Sequence, residues 1–148
     1  MITDKLTIYG ENSKAELVRK LLLQCSEKLS LSVADTVVCL DDSFEEALES
    51  TDAQHLVIDY KYVEKLIEKD RAFTYSLSDS RADVAALNIQ QRTHSVCFEL
   101  LNGSFMSRIF IPLTNEHTPY TVIVTCCVLI LWSVPAEKIV ETINELLK

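Results

Sequence analysis

Apolar and polar positions alternate in blocks through the first half of this chain. Residues 5–9, 36–40, 56–59 and 72–76 are short apolar runs rich in β-branched and aromatic side chains, and they read as strands. Between them the period lengthens to that of a helix. Residues 12–28 place Leu17, Val18, Leu21 and Leu22 on one face, and residues 60–69 place Val63, Leu66 and Ile67 on another. Ser43, with Glu46 three positions on, forms a capping box that opens a further helix through residue 49. Strands alternating with helices of this length specify βαβ units and a mainly parallel sheet.

The second half has a different rhythm. Residues 82–91, 93–101 and 105–112 read as strands, and Asn102-Gly103 is a type I′ hairpin signal between the last two. They predict an antiparallel meander that extends the sheet. Residues 118–132 are apolar nearly all round. Their length and Pro119 near the start favour a buried helix, although periodicity alone fits a strand equally well. A last helix over 135–147 opens on Pro135, with Glu137 near its N-terminus. The two helices should pack on the sheet through Val128, Leu131, Ile139, Ile143 and Leu146. No linker, repeat or low-complexity segment interrupts the pattern, so a single domain over residues 1–148 is expected.

Composition narrows the function classes. A hydrophobic share of 48% with 24% charged residues is globular. The net charge of −8 argues against nucleic acid or an anionic membrane as the main partner, because both reward basic surfaces. The apolar run over residues 120–132 is shorter than the ~20 residues of a membrane span. The five cysteines show no metal-ligand spacing, and the adjacent Cys126 and Cys127 sit in an apolar run. They read as reduced core thiols of a cytoplasmic protein. His55 and His94 have no carboxylate or cysteine at catalytic spacing, so no triad can be argued.

One segment carries a chemical suggestion. The strand over residues 5–9 runs into Gly10, then Lys14, then an amphipathic helix, which is the order of a phosphate-binding loop. That loop needs glycine just before the lysine and a hydroxyl just after it to hold Mg²⁺. Here those positions are Ser13 and Ala15. With only two glycines in the chain, Gly10 and Gly103, close backbone approach to a ligand has little support.

The longer pattern resembles the central, ATP-binding domain of the Mur ligase family. That family joins amino acids to peptidoglycan precursors and includes the folylpolyglutamate and cyanophycin synthetases. Ile58-Asp-Tyr60, Phe73-Thr-Tyr-Ser-Leu-Ser-Asp79 and Ala82-Asp-Val-Ala-Ala-Leu-Asn-Ile89 are similar to its "TYG, ADV, NI" stretch. Ile111-Pro-Leu113, His117, Tyr120 and Val134-Pro-Ala-Glu-Lys-Ile-Val-Glu-Thr-Ile143 are similar to the segment that closes the domain. Gly10, Asn12, Ser13, Lys14 and Ala15 would be its loop.

The resemblance implies a bacterial protein with a P-loop-like α/β fold and nucleotide contacts at Gly10 to Ala15, His117, Thr118 and Thr121. Departures from the family pattern imply lost catalysis. Thr118 and Thr121 stand where the family has two asparagines beside the adenine. Only some 27 residues separate the first helix from Leu56, where the family places a long segment with its metal-binding glutamate, a histidine and a modified lysine. The family's N-terminal and C-terminal domains have no counterpart in these residues.

Plainer readings stand beside these assignments. Lys14 reads as a phosphate ligand or a solvated lysine in a first helical turn, and Asn12 as an N-cap. His117 reads as a nucleotide contact or a hydrogen-bonded histidine flanking a helix. Asp41, Asp42, Glu45 and Glu46 read as a cation group or as capping and solvated positions. The leading expectation is a non-catalytic interaction or regulatory module with no resident metal or cofactor, working through a protein partner or a homo-oligomer. The alternatives are a residual ATP/ADP binder without turnover and a subunit of a multi-chain amide ligase.

Overall fold

A computed structural model of the chain describes residues 2–43, 45, 54–66 and 72–148. Seven strands form one mixed sheet in chain order: β1 (Leu6–Tyr9), β2 (Thr36–Cys39), β3 (His55–Asp59), β4 (Ala72–Ser76), β5 (Val84–Gln91), β6 (Ser95–Asn102) and β7 (Phe105–Pro112). Neighbours from β1 to β5 pair in parallel, and β5, β6 and β7 pair antiparallel. The expected parallel sheet and its meander are both present. The Asn102-Gly103 hairpin joins β6 to β7, with Gly103 at φ +62 as such a turn requires.

Among the described residues the helices that accompany the sheet include α1 (Ile2–Lys5), α2 (Asn12–Ser26), α3 (Pro119–Leu131) and α4 (Ala136–Leu147). Lys5 closes α1 rather than opening β1, at the cation-favouring helix end, 3.6 Å from Asp35. Residues 120–132 are helical, as their length suggests. Thr118 caps α3 by accepting the N–H of Thr121, and the Thr121 hydroxyl accepts the N–H of Thr118. Nine consecutive residues of α3, Thr121 to Leu129, are buried, so its apolar surface all round is explained. Of the side chains expected to face the sheet, Val128, Ile139 and Ile143 are buried, whereas Leu131 and Leu146 are only half-buried. Leu147 takes the buried place at the end of α4.

The two sheet faces follow the strand period of two. Leu6, Val38, Val57, Tyr75, Val84, Phe98, Ile109 and Ile111 point into the main core with α2, α3 and α4. The alternate residues Val37, Cys39, Leu56 and Ile58 form a smaller cluster on the other face, covered by Tyr62, Val63 and Leu66. Those three belong to the segment expected as an α-helix over 60–69. It is instead a 3₁₀ helix over Tyr60–Lys65, with Leu66 extended at ψ 142. The Asp59 side chain accepts the Lys61 N–H, and Leu66 N–H bonds to Val63 C=O, the tighter 3₁₀ spacing. Ile67 and the rest of that segment lie outside the described residues, as do Glu46 and most of the expected helix at 43–49; Ser43 is in a turn and Glu45 is helical.

The β7 edge of the sheet is guarded. The Asn144 amide donates to Arg108 C=O and its Oδ1 accepts the Phe110 N–H, each at 3.0 Å. One side chain on α4 thereby takes two outward-facing backbone groups of β7, which blocks further strand addition there. All five cysteines are free and buried, and none forms a disulfide.

Candidate functional site

Parallel α/β sheets present ligand sites at the C-terminal ends of their strands. Here those ends bring together Gly10 after β1, Asp41 after β2, Asp59 at the end of β3 and Tyr75 near the end of β4. Lys14, in the first turn of α2, points to the same place. Its ammonium lies 3.0 Å from Asp41 Oδ2, 4.0 Å from Glu11 Oε2 and 5.0 Å from the centre of the Tyr120 ring. The lysine charge is thus met by a carboxylate of the chain itself and by an aromatic face.

A buried relay fixes Asp41. Its N–H donates to Tyr120 Oη at 2.7 Å, and Tyr75 Oη donates to Cys39 C=O at 2.7 Å. The two hydroxyls are 2.8 Å apart. Since Tyr75 gives its proton to the carbonyl, Tyr120 donates to Tyr75. The rings meet edge to face at 5.7 Å. Burial pushes the Tyr75 hydroxyl far above its ordinary range and lifts Tyr120 to about 12, so both remain protonated donors. Asp41 sits at φ +52, a conformation this ring of hydrogen bonds holds in place. Asp59 is raised above its ordinary value, first by desolvation and also by the negative charge of Asp41.

The sequence-expected residues divide into two groups. In the first, Gly10 adopts φ +134 and is packed against Leu40, while Asn12 and Ser13 are exposed. Asn12 is not the N-cap. Glu11 takes that position, without a side-chain cap bond, and receives the Ser13 hydroxyl at 2.6 Å. The extended backbone at Glu11, at ψ 128, starts the helix one residue earlier than the side-chain preference of Asn12 suggests. Ala15 is buried in the main core, where its methyl has a packing role.

The second group is a helix start. His117 is 6% exposed, its Nδ1 lies 3.2 Å from Thr121 Oγ1, and its N–H donates to Asn115 Oδ1. Thr118 and Thr121 form the capping box of α3. Tyr120, three residues beyond His117, is what ties this group to Lys14. The Lys14–Asp41 pairing joins residues 27 positions apart, and the Asp41–Tyr120 bond spans 79. No local spacing signals either contact. Among the described residues, no group of three histidine, cysteine or acidic side chains stands close enough to hold a metal ion.

Burial lowers the His117 pKa below its ordinary 6.5, against a smaller opposing effect of Glu116. The unfolded chain therefore binds this proton more readily. The stabilisation from neutral His117 is complete above the unfolded value of 6.5 and is lost as pH falls through the folded value. Urea midpoints of the native chain should fall more steeply than those of His117→Gln as pH is lowered below 6.5. Parallel curves would contradict this assignment.

The sequence matches no protein-family model and no curated protein. Solved structures do match. The UDP-N-acetylmuramoylalanyl-D-glutamyl-2,6-diaminopimelate–D-alanyl-D-alanyl ligase from Acinetobacter baumannii aligns with 74% of this chain at 15% identity and a TM-score of 0.57. A UDP-N-acetylmuramoyl-L-alanyl-D-glutamate–2,6-diaminopimelate ligase aligns with 95% at 14% identity and a TM-score of 0.50. The murein peptide ligase of Psychrobacter arcticus 273-4 aligns with 95% at 9% identity and a TM-score of 0.50. The fold is therefore Mur ligase-like. The chain spans 28% of the length of the first two ligases and 26% of the third. Among the described residues, no helix is long and apolar enough to cross a membrane.

Proposed function

We propose that this chain is a non-catalytic, Mur ligase-like interaction or regulatory module linked to cell-wall precursor synthesis. The observation that carries this reading is the 3.0 Å contact between Lys14 and Asp41. The ammonium that a phosphate would need is already paired with the Asp41 carboxylate, and the backbone N–H of Asp41 is held by the Tyr75–Tyr120 relay. Phosphoryl transfer depends on positioned cations at the transferring group. A lysine already paired with Asp41, and followed by Ala15 rather than by a hydroxyl for Mg²⁺, supplies little of that stabilisation.

The similarity to ligases supports the link to cell-wall precursors through fold alone. A second reading, residual binding of ATP or ADP, has one observation in its favour: the first turn of α2 has no side-chain cap, leaving amides for an anion. The deciding assay is phosphate release from ATP and Mg²⁺ in the presence of a UDP-N-acetylmuramoyl tripeptide and D-alanyl-D-alanine. The expected rate equals the protein-free control. Release that disappears in Lys14→Ala would overturn the proposal.

A further inference from the structure

The outer face of the meander carries a surface that the strand-end site does not use. Cross-strand register sets Phe110 opposite Cys97, Arg108 opposite Glu99 and Met106 opposite Leu101. Met106 and Phe110 are 49% and 44% exposed, although they are large apolar side chains within a regular strand. Phe110 stands as a ridge between two open hollows. One, of about 380 Å³, is bounded by Glu99, Met106 and Arg108. The other, of about 320 Å³, is bounded by His94, Pro112 and Asn144.

We propose that this face is a self-association surface whose occupant is a second copy of this chain, related by a two-fold axis. The inference rests on the reading of the chain as an interaction module and names its partner. Two features of the face select a second copy. A two-fold interface must be self-complementary, so one patch has to carry both a projection and its receptacle. Phe110 and the hollows beside it meet that condition.

Charge gives the second. At −8 the chain repels its own copies overall, but the charges of this face are paired: Glu99 with Arg108 at 3.3 Å, and Lys148, which also bounds the second hollow, with Glu145 at 3.0 Å. Two-fold pairing can set Arg108 of one copy against Glu99 of the other, so the local charges match without a foreign surface. Repulsion between more distant charges is screened beyond about 8 Å at physiological salt.

Area sets the strength. Three strands of eight residues cover roughly 14 by 26 Å, or about 370 Å² in projection. A stable interface takes about 800 Å² per partner. The dimer is therefore weak, with a dissociation constant on the order of 10–100 μM.

Sedimentation equilibrium of the full chain over loadings from about 5 to 500 μM tests this directly. The average mass should rise from one chain toward two, while Phe110→Glu and Met106→Glu stay monomeric with unchanged circular dichroism. Glu99→Arg and Arg108→Glu should each weaken association at least threefold, and mixing the two should restore it. A native chain that is monomeric throughout, or dimers that both glutamate variants retain at native strength, would overturn the inference. Titrating the same samples with ATP and Mg²⁺ separates the two readings. Monomers that bind no nucleotide sink only the dimer, whereas dimers that turn over ATP sink only the non-catalytic reading.

Discussion

Trp132→Ala should destabilise the chain by about 3–5 kcal/mol, the largest effect expected of any single truncation here. Trp132 closes α3, is fully buried and is the only tryptophan. Its side chain fills the main core, and its indole N–H donates to Thr36 Oγ1 at 2.9 Å across 96 residues of sequence. Thr36 passes that bond on to Ala34 C=O at 2.8 Å. Truncation therefore leaves a large cavity and also removes the donor to a buried hydroxyl at the start of β2, which keeps only its own bond to Ala34. Urea unfolding followed by circular dichroism checks this, since the variant lacks indole fluorescence. A loss below about 1.5 kcal/mol would mean that the core collapses around the gap far more readily than its packing implies.

Gly10→Ala should cost roughly 2–4 kcal/mol. The residue sits at φ +134, and an added Cβ would lie 2.6 Å from Leu40 Cβ, an atom held in the core beside β2. Relief requires β1 and β2 to part at the very point where Lys14 meets Asp41. The comparison is Gly103→Ala, at φ +62 with nothing within 4 Å of the new atom, for which only the backbone penalty of about 1 kcal/mol remains. Equal losses at the two positions would contradict the packing account of Gly10. Under this account Gly10 is required for strand approach whether or not any phosphate ever binds.

Much of the fold was legible because period and turn chemistry agreed. The apolar runs over residues 5–9, 36–40, 56–59 and 72–76 became parallel strands, and Asn102-Gly103 made its hairpin. The segment after Asp59 misled because Val63 and Leu66 carry a helical spacing that a 3₁₀ turn satisfies equally over so short a span. Asn12 misled in a similar way, since backbone geometry at Glu11 overrode its capping preference. The site was less legible than the fold. Lys14 and Asp41 were both visible as charged residues near strand ends, but their pairing is a product of the sheet, and Tyr75 and Tyr120 meet only once β4 and α3 are packed. Hydrogen bonds that span dozens of residues leave no trace in local spacing.

Isothermal titration of ATP with Mg²⁺ into the native chain and into Lys14→Ala tests the central claim most directly. The account predicts no measurable heat for either protein at roughly millimolar nucleotide, a free energy weaker than about −4 kcal/mol. It also predicts little change in stability for Lys14→Ala, because the side chains of Lys14 and Asp41 are 36% and 45% exposed and such pairs contribute at most about 1 kcal/mol. A micromolar dissociation constant in the native chain that vanishes in Lys14→Ala would contradict the account and make Lys14 a working phosphate ligand.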